Sequence, residues 1–113
     1  MEIKIKPLPT FQREARRLKK HYASFVDDYA ELLEQIHKNP AAGTDLGGGL
    51  RKVRMRIASK GKGKSGGARV ITLTVVISVV EAEVDLLYIY DKSERESISF
   101  AEIESLLKQN GLK

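Results

Sequence analysis

The segment "LRKVRMRIA", Leu50 to Ala58, narrows the possible folds of this chain more than any other. Val53, Met55 and Ile57 alternate with Lys52, Arg54 and Arg56, a period of two that gives a strand one apolar and one basic face. A half-buried strand is therefore expected, with its outward cations roughly 7 Å apart along the chain. Three like charges in such a row repel one another. The row needs compensation from acidic residues such as Glu2 or Asp91, or a polyanion to meet.

The rest of the sequence supplies neighbours for that strand. In "EIKIK", Ile3 and Ile5 alternate with Lys4 and Lys6, and Pro7 and Pro9 stop the run, which marks a short edge strand. Thr10 can cap a helix with Phe11, Ala15, Leu18 and Tyr22 on one side and Arg13, Arg16, Arg17 and Lys20 largely elsewhere. Asp27 or Asp28 can begin a second helix, striped by Tyr29, Leu32, Leu33 and Ile36 and closed by Asn39 and Pro40. "AAGTDLGGGL" reads as a loop, its three consecutive glycines permitting close approach to backbone or ligand. "ARVITLTVVISVV" and "VDLLYIYD" read as two further strands with a turn near Glu81 to Glu83. The first is apolar on both faces near its end, as a central strand would be, and Tyr88 and Tyr90 share a face with Leu86 in the second. Ser99 and Glu102 have capping-box spacing ahead of Ile103, Leu106 and Leu107, and Asn110 and Gly111 end that helix, with Phe100 expected beneath it.

The order is strand, helix, helix, three strands, helix. It predicts a single α+β domain over residues 1–113, with a small antiparallel sheet packed against two N-terminal helices and a short C-terminal one. A length of 113 residues, 42% apolar, supports one modest core. There is no cysteine, which leaves neither a disulfide framework nor a thiolate metal site. The N-terminus lacks the long apolar stretch of a signal peptide, and Val75 to Val80, interrupted by Ser78, is too short to span a bilayer. A cytoplasmic protein without membrane contact is the expectation.

The net charge of +5 hides an asymmetry. Leu46 to Val80 holds eight Lys or Arg and no acidic residue, whereas the remainder holds twelve basic and fifteen acidic residues. Its centre is "KGKGKSGGARV", Lys60 to Val70, where Lys60, Lys62 and Lys64 alternate with glycine ahead of Arg69. Glycine exposes backbone N–H groups and the lysines add point charges, a combination suited to a phosphate backbone as well as to a solvated loop. The spacing is not that of a P-loop. Strand parity sets Arg69 on the face of Ile71, Leu73 and Val75, either ion-paired or presented as a fork for a phosphate. His21 and His37 stand alone near helix ends, and no HExxH pattern or carboxylate cluster offers a metal site. Glu81, Glu83, Asp85 and Asp91 read as solubilising strand and turn residues.

Three segments in order, "LGGGLRKVR", "GKGKSGGARV" and "LLYIYDKSERE", give the chain its resemblance to the RelE/HigB-like toxins of bacterial type II toxin–antitoxin modules, closest to the HigB-type branch. The resemblance implies a small α+β microRNase fold and cleavage of messenger RNA in the ribosomal A site, without a cofactor or metal. It implies as partners a cognate helix-turn-helix antitoxin, the ribosome and its mRNA, and operator DNA indirectly through the antitoxin complex. The family's cationic site carries over onto Lys52, Arg54, Arg69 and Lys92 as catalytic residues, with Arg51, Arg56, Lys60, Lys62 and Lys64 as further RNA contacts. Some relatives of this kind have a tyrosine beyond the last strand; this chain has none there, and Tyr90 is the substitute. Lys52 is the candidate general base. The alternative is a non-catalytic module that binds nucleic acid or the antitoxin with the same basic face.

Overall fold

The structure is a computed structural model describing residues 1–60 and 66–113. Strand β1 (Glu2–Pro7) leads through Leu8 into helix α1 (Pro9–His21). Thr10 was expected to cap this helix, but Leu8 is the extended N-cap and Pro9 opens the first turn. Proline fits there because the first helical N–H has no intrahelical partner to lose. Thr10 is instead buried and donates its hydroxyl to the Leu87 carbonyl. Helix α2 (Phe25–Lys38) begins two residues before Asp27, after Ser24. Asp28 turns inward, accepting hydrogen bonds from Ser24 Oγ at 2.6 Å and the Ala58 N–H at 3.2 Å, which ties α2 to the chain beyond the basic strand.

Strands β2 (Thr44–Gly47), β3 (Leu50–Met55), β4 (Ala68–Val76) and β5 (Glu81–Asp91) follow, then helix α3 (Phe100–Gln109). The glycine segment is thus not wholly a loop, since β2 forms a hairpin with β3. Its glycines do allow close approach: a Cβ on Gly49, whose φ is +86°, would lie 2.7 Å from the Thr74 carbonyl oxygen. The sheet order is β1-β5-β4-β3-β2, with β1 at an edge and β4 central as expected. The sheet is mixed, however, because β1 runs parallel to β5 while the other pairs are antiparallel. The two helices carry the chain from β1 to the far edge, and the four-strand meander then returns to it in the same direction.

Each face of the sheet has its own core. Phe11, Leu18, Phe25, Leu32 and Ile36 of α1 and α2 pack on Val53, Met55, Val70, Val84, Leu86 and Ile89. On the other face Ile103 and Leu106 of α3 pack with Leu8, Ile71, Leu87 and Tyr90. The Ser99–Glu102 capping box is formed and positions this helix. Phe100 does not lie beneath it; as the first helical residue it points outward and is 66% exposed. Nor does Leu86 share a face with Tyr88 and Tyr90. The register shifts between Ile71↔Tyr88 and Thr72↔Leu86, leaving Leu87 as the extra residue of a β-bulge that resets the parity of β5. The β4–β5 turn also falls earlier than Glu81 to Glu83, with the N–H groups of Ile77 and Ser78 both donating to the Glu81 carbonyl. β4 outruns β3, whose last pair is Leu50↔Leu73, so the apolar tip stands clear of the core. Val76 and Val79 there are 72% and 91% exposed.

A cationic candidate site on one face of the sheet

The register of three adjacent strands assembles the site. Arg54 of β3 lies opposite Arg69 of β4, and Arg69 opposite Tyr90 of β5. The next rung is Lys52, Ile71 and Tyr88. Directly opposed residues project to the same face with Cβ atoms roughly 5 Å apart. Lys52, Arg54 and Arg69 therefore share one face, at the side that α3 leaves open: Arg54 is exposed, and Lys52 and Arg69 are half-buried.

Arg69 is not ion-paired among the described residues. Its guanidinium donates to the carbonyls of Gly66 and Ala68, each at 3.3 Å, so it is steadied by the backbone with its charge uncompensated. Gly67, two residues before it, has a φ of +76°, and an added Cβ there would approach the Met55 carbonyl to 2.6 Å. Lys92 arrives at the same end of the sheet, its N–H donating to the Gly67 carbonyl at 3.1 Å and its ammonium to the Glu96 carbonyl at 2.6 Å.

Tyr90 is buried, and its hydroxyl has no hydrogen-bond partner among the described residues. Burial raises its pKa above the ordinary tyrosine value, against the opposing pull of Arg69 and Arg95. Arg95 stacks over the Tyr90 ring, 5.8 Å from its centroid, and is fixed there by Glu102 and by the Ser97 carbonyl at 3.0 Å. Arg95 carries no role in the local sequence pattern. Its distance of seven residues from the capping-box Glu102 was the available signal.

Other residues assigned to the site lie apart from it. Lys60 serves the opposite face: its ammonium is 2.8 Å from the carboxylate of Asp91, whose side chain is fully buried, and 5.8 Å from the centroid of the Tyr22 ring. Asp91 is thus a structural anchor and not a solubilising residue, accepting from Lys60, Tyr22 and Ser93. Burial alone would raise its pKa; those hydrogen bonds outweigh burial and hold the carboxyl below the ordinary range. Asp91 is therefore already matched, and Glu2 lies at the start of β1 opposite Glu81, so neither compensates the basic row. Arg51 has the other parity of β3, donating to the Ala41 carbonyl at 3.0 Å and facing Asp45 at 4.0 Å. Arg56 follows the end of β3 and is exposed. Lys62 and Lys64 lie outside the described residues.

Asp85 is likewise buried and not solubilising, with one carboxylate oxygen unpartnered among the described residues. Burial pushes its pKa up to about 7, and the adjacent carboxyl of Glu83 adds to the shift. Among the described residues no group of three or more His, Asp or Glu is placed to hold a metal ion, and no helix is long and apolar enough to cross a membrane.

The fold is a small α+β domain with a row of cations across one face of its sheet. Residues 6–111 match the family model described as the RelE toxin of the RelE/RelB toxin–antitoxin system, and the chain belongs to that family. Its members are generally endoribonucleases, which makes this chain a ribonuclease-type toxin by family, with a cognate antitoxin implied. No curated protein matches the chain.

Proposed function

We propose that the protein is a ribosome-dependent messenger-RNA endoribonuclease of the HigB-type branch, inhibiting translation until a helix-turn-helix antitoxin neutralises it. The antitoxin complex would in turn engage operator DNA, and the site would act without a metal. The observation that carries the reading is the alignment of Arg54 and Arg69 across adjacent strands beside Lys52, with Arg69 free of an ion pair among the described residues. Such a row suits the non-bridging oxygens of one phosphate, where charge accumulates in the transition state.

The reaction is attack by the RNA 2′-hydroxyl on its own 3′ phosphorus. The O2′–P bond forms while the P–O5′ bond breaks, leaving a 2′,3′-cyclic phosphate and a 5′-hydroxyl. Lys52 takes up the 2′-hydroxyl proton, and Lys92 supplies one to the departing 5′ oxygen. Arg54 and Arg69 clamp the phosphate. Tyr90, with its raised pKa and buried hydroxyl, backs Arg69 as a support and not as a base. These groups are modest acid–base catalysts, so in-line positioning of the message by the ribosome supplies much of the rate. Arg51, Arg56, Lys60, Lys62 and Lys64 remain assigned to RNA or ribosome contact; for Lys60 this requires a charge that Asp91 already engages.

The end chemistry tests the mechanism. Fragments cut in a reconstituted translation reaction should be phosphorylated at the 5′ end by polynucleotide kinase without prior phosphatase, and should resist 3′ ligation until the cyclic phosphate is opened. Fragments bearing 5′-phosphates would refute 2′-hydroxyl attack.

A further inference from the structure

The β4–β5 hairpin ends in apolar residues that the fold leaves uncovered: Val75, Val76, Ile77, Val79 and Val80 are all exposed. Val75 projects to the α3 face of the sheet and Val76 to the face of α1 and α2, so the tip is apolar on both sides. Met1, also exposed, joins them, because the Glu2 N–H donates to the Val80 carbonyl at 2.6 Å. Together these six residues present roughly 600 Å² of apolar surface, the upper end of what a monomer commonly leaves open.

The strand edge at the tip is open as well. The Thr74 N–H donates to the Gly49 carbonyl at 2.9 Å, and the pairing of β3 with β4 ends at Leu50↔Leu73. Backbone direction alternates along a strand, so the N–H and C=O of Val76 point to the side that β3 has vacated, while the Ile77 N–H turns across the hairpin to Glu81. An unpaired apolar edge is a template for another strand.

The surroundings select which strand. Val75 to Val80 holds no charged residue, and the base of the tip carries both signs: Glu2 lies opposite Glu81, Lys4 opposite Glu83, and Lys4 is 3.2 Å from Glu81. A mixed collar draws neither an anionic lipid surface nor a highly charged peptide, but it is compatible with its own copy. The edge is also self-complementary. Antiparallel pairing about a two-fold axis at Val76 sets Val76 opposite Val76, and the two residues exchange both N–H···O=C bonds. Two such surfaces remove about 1,200 Å² from water, the lower end for a stable interface.

We infer that the hairpin tip is a self-association surface through which two copies of this chain pair, β4 edge to β4 edge, with Val75, Ile77, Val79 and Val80 closing over the joint. The inference does not rest on the nuclease reading. Arg69 stands near the start of β4 and Val76 at its end, roughly 23 Å along the strand, so pairing at the tip leaves the cationic face of each copy open.

The test is sedimentation equilibrium of antitoxin-free protein, from low micromolar to submillimolar concentration, with wild type, Val76→Asp, Val76→Lys and an equimolar mixture of the two variants, each verified as folded by circular dichroism. Wild type should approach twice the 12.6 kDa mass of the chain as concentration rises. Each variant sets like charges face to face at the two-fold axis and should associate at least about tenfold more weakly, whereas the mixture, with opposite charges there, should recover the dimer. Wild type that stays monomeric throughout, or a dimer that both variants leave intact, would overturn the inference. Loss of the dimer in each variant without recovery in the mixture would overturn the strand-to-strand pairing. A wild-type monomer whose Val76 amide slows in hydrogen exchange only when antitoxin is added would overturn it in favour of the antitoxin as occupant.

Discussion

Lys60 and Arg54 look alike in the sequence, two cations of one basic stretch, yet the fold gives them opposite tasks. Lys60 neutralises the buried Asp91, whereas Arg54 projects from the sheet beside Arg69. Replacing Lys60 with Met leaves a buried carboxylate without its cation, and Lys60→Met should lose roughly 3 kcal/mol in urea denaturation. The Asp91 carboxyl is depressed in the folded state, so its stabilisation is present above the unfolded value near 4 and is lost as pH falls through the lower folded value. Asp85 has the opposite sign. Its folded pKa of about 7 lies above the unfolded value, so the native state binds the extra proton and stability declines as pH rises from about 4 to about 7. Asp85→Asn should remove that decline, melting a few degrees above wild type at pH 8, with the gap narrowing at pH 5. An unchanged pH profile in differential scanning fluorimetry would show that Asp85 is ionised in the fold.

Much of each element was legible in local pattern, because periodicity reports burial directly. Val53, Met55 and Ile57 are buried as their alternation required, and the Ser99–Glu102 box is formed as its spacing required. Ser99→Ala should therefore cost about 1 kcal/mol in urea denaturation, from loss of the N-cap. A value near zero would mean that packing of Ile103 and Leu106 alone holds α3. What local pattern could not report was the bulge at Leu87, because an extra residue is defined by the partner strand. That bulge sends Leu86 to the helix face and keeps Tyr90 opposite Arg69, with Asp91 beneath the helices. Nor could sequence order show that β1 runs parallel to β5, which depends on how the helices cross the sheet. The candidate site was half legible on the same grounds. Lys52, Arg54 and Arg69 follow from strand parity, while the engagement of Lys60 by Asp91 and the placement of Arg95 over Tyr90 are tertiary.

At the scale of the molecule, one open basic face and one apolar hairpin tip stand on a domain whose remaining surface is close to charge balance. An electrostatic RNA contact of this kind weakens with salt. The slope of log K against log salt for a single-stranded RNA should be less steep by about 0.7 in Arg54→Ala than in wild type if Arg54 meets one phosphate. An unaltered slope would take Arg54 out of the contact. The central claim is that Arg69, mounted between Arg54 and Tyr90, stabilises the phosphate during cleavage. Because the hydrogen bonds of the Arg69 side chain among the described residues are two 3.3 Å contacts to backbone carbonyls, Arg69→Ala should remain folded. The direct measurement is primer extension on a defined message held in translating ribosomes, and on the same message free, with antitoxin-free wild type and folded Arg69→Ala. Wild type should make ribosome-dependent cuts and the variant at least a hundredfold fewer, on the order expected for one lost transition-state donor. Equal cutting by both would remove Arg69 from the site, and the absence of cuts by folded wild-type protein would contradict the nuclease itself.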